Sequence, residues 1–574
     1  MIRMLLHKGY WSIFAVLLFS GCALLPASQD TAAPQAAAPA PASAAYHYSL
    51  GILFALNDDL GEATREMEEA LRLDPASPYL AKELASLYME RGNAAKALEI
   101  CLKTLQEHPD DIDTRLLLGG LYVARKDYAN AAGEYRRVVE LAPKNIPARF
   151  YLGTCLAEMK QFDEAAGAFR ELLKIDPDHL MGNYYLARLL TEMKRYDDAE
   201  KAFLKTIALR PQFESAVIDL ASLYEKQKKI PEAIEVCSNF IKLFPARPQV
   251  RLKLGEIYLR EQRYNDAEAA FQEVLKMDGR NRDVRMTLAL IYLERGRPQK
   301  AIELLAAITQ EYTGEYKVIY LLGTTQEEVK EYDAALETLR KIPASSEQFD
   351  SAQIRIGMIL KKQQRTAEAI DSLLRAIEKK KDAPGLYAFL ASLYEDEKKF
   401  SQAEELIREG LRLNPGSVDL HFSLGVFFEK TNRFEECIQA MKKVLEIEPN
   451  HAEALNFVGY MYADRGIHLD EAEQMIRRAL ELKPGNGYMI DSLGWVLFRK
   501  DKLEEAIRYL KEAAQILPED AAILEHLGDA YLRAGRLPEA ADAYDRAIRL
   551  NPDSEPLKKK RQETEQIKKS EQPK

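Results

Sequence analysis

The chain has 574 residues, 47% of them hydrophobic and 30% charged, with a formal net charge of −10. That balance suits a soluble helical protein, and the excess of acid leaves no domain-wide basic face to neutralise phosphates, which argues against a nucleic-acid partner. Length alone would suggest about four domains, yet one period runs through most of the sequence and points instead to a single elongated array.

The N-terminus is a different kind of sequence. Met1 to Lys8 carries Arg3 and Lys8, an apolar run follows from about Tyr10 to Phe19, and Leu18-Phe19-Ser20-Gly21-Cys22 closes it. The run is short for a bilayer span and has the flanks of an export signal, so residues 1–21 are read as a cleaved leader. A small pair before a cysteine resembles the bacterial lipobox, with Phe19 in place of the usual aliphatic. The resemblance implies that Cys22 is lipidated and becomes the first residue; an uncleaved anchor or ordinary cleavage is the competing reading. Two or more acyl chains would hold the protein stably, since each buried methylene contributes about 0.8 kcal/mol. From Pro26 to Ala45 the chain is dominated by Ala and Pro without helical periodicity, so residues 22–45 are read as the lipidated cysteine and a spacer. By the same resemblance, Ala23 rather than Asp after the cysteine implies the outer membrane, facing the periplasm.

The repeats begin there. Prolines recur at a spacing of 34 residues, at Pro75, Pro109, Pro143, Pro177, Pro211 and Pro245, and the period returns at Pro415, Pro449, Pro484, Pro518 and Pro552. The prolines have an alanine twelve residues upstream, replaced by Cys437 before Pro449, and, a further twelve upstream (thirteen before Pro484), a Gly or Ala preceded by an aliphatic: Leu152, Gly153, Leu156, Ala165, Phe169 and Pro177 are one complete set. Large, small and large residues at i, i+1 and i+4 share one face of a first helix, and the alanine and aromatic at i and i+4 share the facing side of a second. Small residues let the two backbones approach, and proline cannot continue the second helix. A unit this small cannot bury its own apolar face and must stack on its neighbours.

This pattern resembles the tetratricopeptide repeat. The resemblance implies an all-α fold, a right-handed superhelical solenoid of about fifteen helix-turn-helix repeats over residues 46–552, followed by a polar capping helix and tail at 553–574. Residues of about 249–381 form a degenerate stretch: Gly279, Thr313 and Lys381 stand at or near the place of the proline, and the ninth unit is cut short around Pro343, although pairs such as Leu322-Gly323 with Ala335 persist. The thirteenth unit carries one extra residue near Gly466-Ile467-His468. Cys101, Cys155, Cys237 and Cys437 occupy core positions of different units, which predicts packed free thiols rather than disulfides.

No HExxH, GxxxxGK[ST], GxSxG or CxxC motif occurs, and the 8 histidines form no i, i+4 pair. With no segment left over for a catalytic domain, the expectation is no enzyme, no cofactor and no metal site. The expected action is on a surface. In the fourteenth unit Ile490, Leu493, Gly494 and Leu497 serve the hairpin core, while Tyr488, Trp495 and Phe498 fall on another face with Asp491 between them. The repeat resemblance implies that such first-helix positions line a concave groove for other proteins or extended peptides. The candidate groove residues are Phe422, Asn456, Tyr460, Tyr488, Asp491, Trp495, Phe498 and Arg499, aromatic and arginine being the types enriched in hot spots. A second, weaker candidate patch is Phe150, Tyr184, Tyr185 and Arg188, for which packing within the array is the favoured alternative. For Trp495 and Phe498, packing between adjacent first helices is an equally weighted alternative.

The segments Leu455-Asn456-Phe457-Val458-Gly459-Tyr460 and Asp491-Ser492-Leu493-Gly494-Trp495 resemble the C-terminal repeats of proteobacterial outer-membrane tetratricopeptide lipoproteins. That group includes an adaptor that activates a periplasmic carboxyl-terminal processing protease and presents cell-wall hydrolases to it. What the resemblance implies is a membrane-anchored adaptor or scaffold; the alternative is an assembly factor for a pilus, secretion or polysaccharide-export machine.

Overall fold

A computed structural model of the chain describes residues 43–570, so Cys22, Trp11 and nearly all of the expected leader and spacer lie outside it. The described residues form 31 α-helices, α1–α31 in chain order, and no strand. α1 (Ala44–Leu56) pairs with α2 (Leu60–Leu73), and the alternation of a first and a second helix continues to α29 (Ala521–Arg533) and α30 (Leu537–Leu550). That makes fifteen hairpins, the number expected from the period. α31 (Glu555–Ser570) packs on α30 as a single closing helix.

Each hairpin closes over its small residue. A Cβ added at Gly119 would stand 2.7 Å from the Tyr135 ring, at Gly153 2.9 Å from Phe169, at Gly494 2.6 Å from Leu510 and at Gly528 2.5 Å from Tyr544. In each of these four the partner is sixteen residues on, at the centre of the second helix. Where the small residue is Ala85 or Ala221, a cysteine, Cys101 or Cys237, takes the partner's place. Both thiols are fully buried and unpaired, and burial pushes each up to about 12, so they stay protonated packing groups.

The turn inside each hairpin uses one left-handed residue per repeat, at Gly92, Lys126, Lys160, Lys194 and Lys228 among others, with φ of 77°, 60°, 60°, 58° and 60°. The following amide then reaches back over the helix end: Asp127 N–H donates to the Tyr122 carbonyl at 2.9 Å and Arg195 N–H to that of Leu190 at 2.8 Å, satisfying carbonyls that the helix terminus leaves free. Between hairpins, the residue after the proline turn caps the next first helix, as Asn145 does by accepting from Ala148 N at 2.8 Å.

By their contacts the helices group into two compact units, one up to Ile257 and one from Tyr258 onward, with the division inside α13 (Pro248–Arg260). In the second unit the shortened ninth hairpin appears as α18 (Tyr332–Leu339), 8 residues long against 14 in the other second helices. Ile342 and Phe349 bury themselves in its place, and one apolar core runs unbroken from Ile319 to Ala440. The extra residue of the thirteenth hairpin lengthens α25 (Ala452–Arg465) to 14 residues and gives the turn two left-handed positions, Gly466 and His468. Among the described residues no helix is long and apolar enough to cross a membrane, and no group of three or more His, Cys, Asp or Glu could hold a metal ion.

Candidate functional site

The fourteenth first helix, α27 (Gly487–Arg499), is buried almost along its length. Asn486 caps it, accepting from Tyr488 N at 3.1 Å and Met489 N at 3.2 Å. Gly487 follows because a Cβ there would lie 2.7 Å from Leu517. Trp495 is only 8% exposed. Its indole stacks on Phe498 at 4.9 Å and on His526 of α29 at 4.2 Å, with interplanar angles of 20° and 21°. Both oxygens of the buried Asp491 lie 3.0 Å from His526 Nδ1. Burial presses the His526 pKa down, but Asp491 beside it, helped by Asp529 and Glu525, outweighs this and holds it above the usual histidine value. Tyr460 of α25 lies 6.3 Å from the same imidazole, and burial pushes its phenol up to about 12. Arg499 donates to the Asp464 carbonyl at 2.6 Å, and Arg533 lies over Phe498 at 5.3 Å.

The structure therefore brings Tyr460, Asp491, Trp495, Phe498 and Arg499 together, and it spends their faces on one another. Trp495 and Phe498 pack between neighbouring first helices instead of presenting an open stripe. Phe422 stacks on His451 at 5.4 Å, and the Asn456 amide oxygen is buried without a partner, as is Trp495 Nε1. Tyr488 alone of the group is strongly exposed, at 58%.

The second patch is arranged differently. It draws on α7 (Ile146–Glu158), α8 (Phe162–Ile175), α9 (Leu180–Glu192), α10 (Tyr196–Leu209) and α11 (Glu214–Lys226). Phe150 and Tyr184 are its supports. Phe150 meets Phe169 at 6.0 Å and Tyr185 at 5.5 Å, and Tyr184 is buried against Phe203 and Phe213. The Tyr184 hydroxyl donates to Asp219 at 2.8 Å; burial and then that carboxylate push the phenol up to about 12. Tyr185 and Arg188 line an open cleft of about 450 Å³ that spans the three first helices. Phe169, Leu189, Phe203 and Leu223 make its floor, and Glu158, Arg188, Glu192, Asp219 and Lys226 its rim. The rim pairs are loose, 3.7 Å for Arg188 with Asp219 and 3.6 Å for Lys226 with Glu192. Exposed pairs of this kind hold each other weakly and exchange readily for a ligand's charges.

Sequence reasoning missed Asp219, Ser222 and Lys226. The signal was available: Asp219 stands one repeat after Tyr185, and Ser222 one repeat after Arg188. Stepping candidate positions by 34 residues instead of reading single helices would have found them.

Comparison with known proteins agrees with this architecture. Models described as tetratricopeptide repeat match residues 184–248 and 492–555, residues 55–121, 224–291, 258–317, 292–356 and 396–459, and residues 350–381, together more than half of the chain. A model described as anaphase-promoting complex, cyclosome, subunit 3 matches residues 124–206. The TPR repeat-containing protein PA4667 of Pseudomonas aeruginosa is 32% identical over 183 residues, 32% of this chain and 31% of that protein. Interferon-induced protein with tetratricopeptide repeats 2 of Cricetulus griseus is 30% identical over 121 residues, 20% of this chain and 26% of that protein. The chain thus spans about a third or less of these two relatives. Among solved structures, the APC/C hetero-tetramer Cut9-Hcn1 is similar over 91% of this chain and 96% of that one, at 16% identity and a TM-score of 0.36.

Proposed function

The chain belongs to the tetratricopeptide repeat family, and from that premise we propose that it is a scaffold that captures extended segments of partner proteins in the cleft between α7, α9 and α11. The observation that carries this reading is an aromatic floor left open beneath a rim of exchangeable charges. A bulky apolar side chain of the partner fills the floor, and flanking charges displace the loose rim pairs. Large apolar anchors in a pocket with charged surroundings supply most of the energy of such interfaces.

The finer part of the proposal rests on the sequence. Acylated Cys22 tethers the scaffold to the outer membrane, and the spacer holds the repeats in the periplasm. Clients bound to one array meet at a raised effective concentration without any chemistry by the scaffold. The clients favoured by the lipoprotein resemblance are a periplasmic processing protease and its substrates.

Pull-down from crosslinked envelopes tests this with the wild type and Ser222→Trp, which fills the cleft from a half-buried, small side chain. The expected result is recovery of a protease with its substrates by the wild type and a loss of roughly tenfold or more in the variant, the scale of one hot-spot contact. Equal recovery by both proteins would place capture elsewhere. Recovery of a secretin or export channel would favour the assembly-factor reading.

A further inference from the structure

The two ends of the array are finished differently. At the C-terminal end α31 tucks Leu557 and Thr564 under itself and turns a charged face outward, with Lys559 and Glu563 in solvent. At the other end α1 has no Asp, Glu, Lys or Arg, and its His47 is bound to Glu66. Its outer stripe of Tyr46, Ser49, Leu53 and Leu56 is exposed, the three large residues at 54%, 53% and 79%.

Register shows what this stripe is. The position of Tyr46 recurs as Leu80, Thr114, Ala148, Ala216 and Leu420 among others, and it is buried in every later hairpin. The position of Leu53 recurs as Leu87, Leu121, Leu223 and Val496 and is buried in all later hairpins but one, where Met461 is half-buried. The cover comes from the preceding hairpin. A Cβ on Gly182, at the Tyr46 position, would meet Leu172 and Leu173 of α8, and Leu420 lies against Gly410 of the second helix before it. At the Leu56 position the later hairpins carry Glu, Asp, Lys or Arg, except Ala124. The first hairpin thus presents the socket that every other hairpin fills, with leucine where the others place a solubilising charge. Repeat arrays otherwise need a polar outer face at both ends.

We propose that this face joins two copies of the chain head to head, α1 against α1 of the second copy, antiparallel about a twofold axis. The stripe is self-complementary. Antiparallel pairing centred on residue 51 sets Tyr46 opposite the second copy's Leu56 and Leu53 opposite its Ser49, so two large apolar pairs close the outer ends, each Leu53 packs over a small hydroxyl residue that leaves it room, and no charged side chains face each other. Such a closed, isologous contact is the commonest form of self-association. A helix of 13 residues is about 20 Å long, and its face is small beside the roughly 1,200–2,000 Å² of a stable interface. The association is therefore weak and concentration-dependent.

Sedimentation of the full chain across the micromolar range tests this, with Leu53→Glu as the comparison; Leu53 is exposed, so the variant keeps its helicity. The expected result is a mass that rises towards the dimer with concentration in the wild type and stays at the monomer in Leu53→Glu. Mixing a Ser49→Cys chain with a Leu53→Cys chain should trap a heterodimer under mild oxidation, more than tenfold above the Leu53→Cys homodimer. A wild type that stays monomeric throughout would overturn the proposal and leave the socket for a helix of another protein. A dimer that survives Leu53→Glu would also overturn it, placing self-association elsewhere in the chain.

Discussion

The cleft of α7–α11 and the cluster of α25–α29 are built on the same positions of the repeat, and they end in opposite states. Phe150, Tyr184, Phe422, Asn456 and Asp491 are equivalent, and so are Arg188, Ser222, Tyr460 and Trp495, once the extra residue near Gly466 is counted. In both regions a side chain bridges consecutive first helices 35 residues apart, Tyr184 to Asp219 in one and Asp491 to His526 in the other. One turn later they diverge. Ser222 leaves room, so the rings of Phe169 and Phe203 become the floor of a cleft; Trp495 fills the same place and stacks on its neighbours. Aromatic content at first-helix positions therefore does not locate a groove. What matters is the size of the residue one repeat further on.

The largest expected effect comes from removing the filler. Trp495→Ala should destabilise the C-terminal unit by about 3–5 kcal/mol, the range for a truncated buried aromatic, read as a lower urea midpoint for that unit. A midpoint within error of wild type would mean that Trp495 does not pack as described. The converse, Ser222→Trp, should weaken partner capture by about 1.4 kcal/mol or more, equal to the tenfold loss above, while the urea transition of the N-terminal unit holds or rises. A large fall in stability instead would show that the cleft is too tight to be filled.

The two bridges also differ in their response to pH. Asp491 and His526 are faced by Tyr460 from α25, by Glu525 and Asp529 on α29 itself, and by Lys560 of α31, which pairs with those two acids. Since the folded pKa of His526 is raised, its contribution is fully present below the unfolded value of about 6.5 and is lost as pH rises through the folded pKa. Trp495 reports on this directly, because imidazolium stacked on indole quenches its emission. In a Trp11→Phe background, fluorescence should therefore rise on alkalinisation with a midpoint above that of free histidine, and His526→Gln should abolish the step. The Tyr184–Asp219 bridge contains no histidine, so no matching step is expected from it.

The smallest effect tests the scaffold that both regions share. Lys194 holds the left-handed turn position beside the cleft. Left-handed backbone costs a residue with a Cβ about 1–2 kcal/mol, partly offset by the greater unfolded-chain freedom of glycine. Lys194→Gly should accordingly raise stability slightly, by up to about 1 kcal/mol, read as a higher thermal midpoint, without altering partner capture. A lower midpoint would mean that the lysine side chain contributes more than its backbone strain costs.

Much of the molecule was legible before any coordinates. The proline period, the Gly or Ala opposite a large residue, and the break around Pro343 pointed to fifteen hairpins, the tight helix crossings and a shortened ninth unit, which the structure shows as the 8-residue α18. The candidate positions were found in both regions, but their states were not. Tyr184, grouped with Tyr185 and Arg188 as one candidate patch, is a buried support, while Asp219, which the single-helix pattern did not single out, stands on the rim. Each depends on residues at least one repeat away.

By itself the sequence determined the local rules: helical periodicity, the small residue at each crossing and the chain break at proline act over a few turns and repeat with the unit. Tertiary structure decided what neighbouring hairpins leave uncovered. Whether a first-helix side chain is floor, filler or open socket is set by the volume and charge of the residues that stacking brings beside it, and these come from helices a full repeat or more apart. Hence Leu53 is exposed while Leu87, in the same position one repeat later, is buried: the two residues are identical, and among the described residues only the second has a hairpin in front of it.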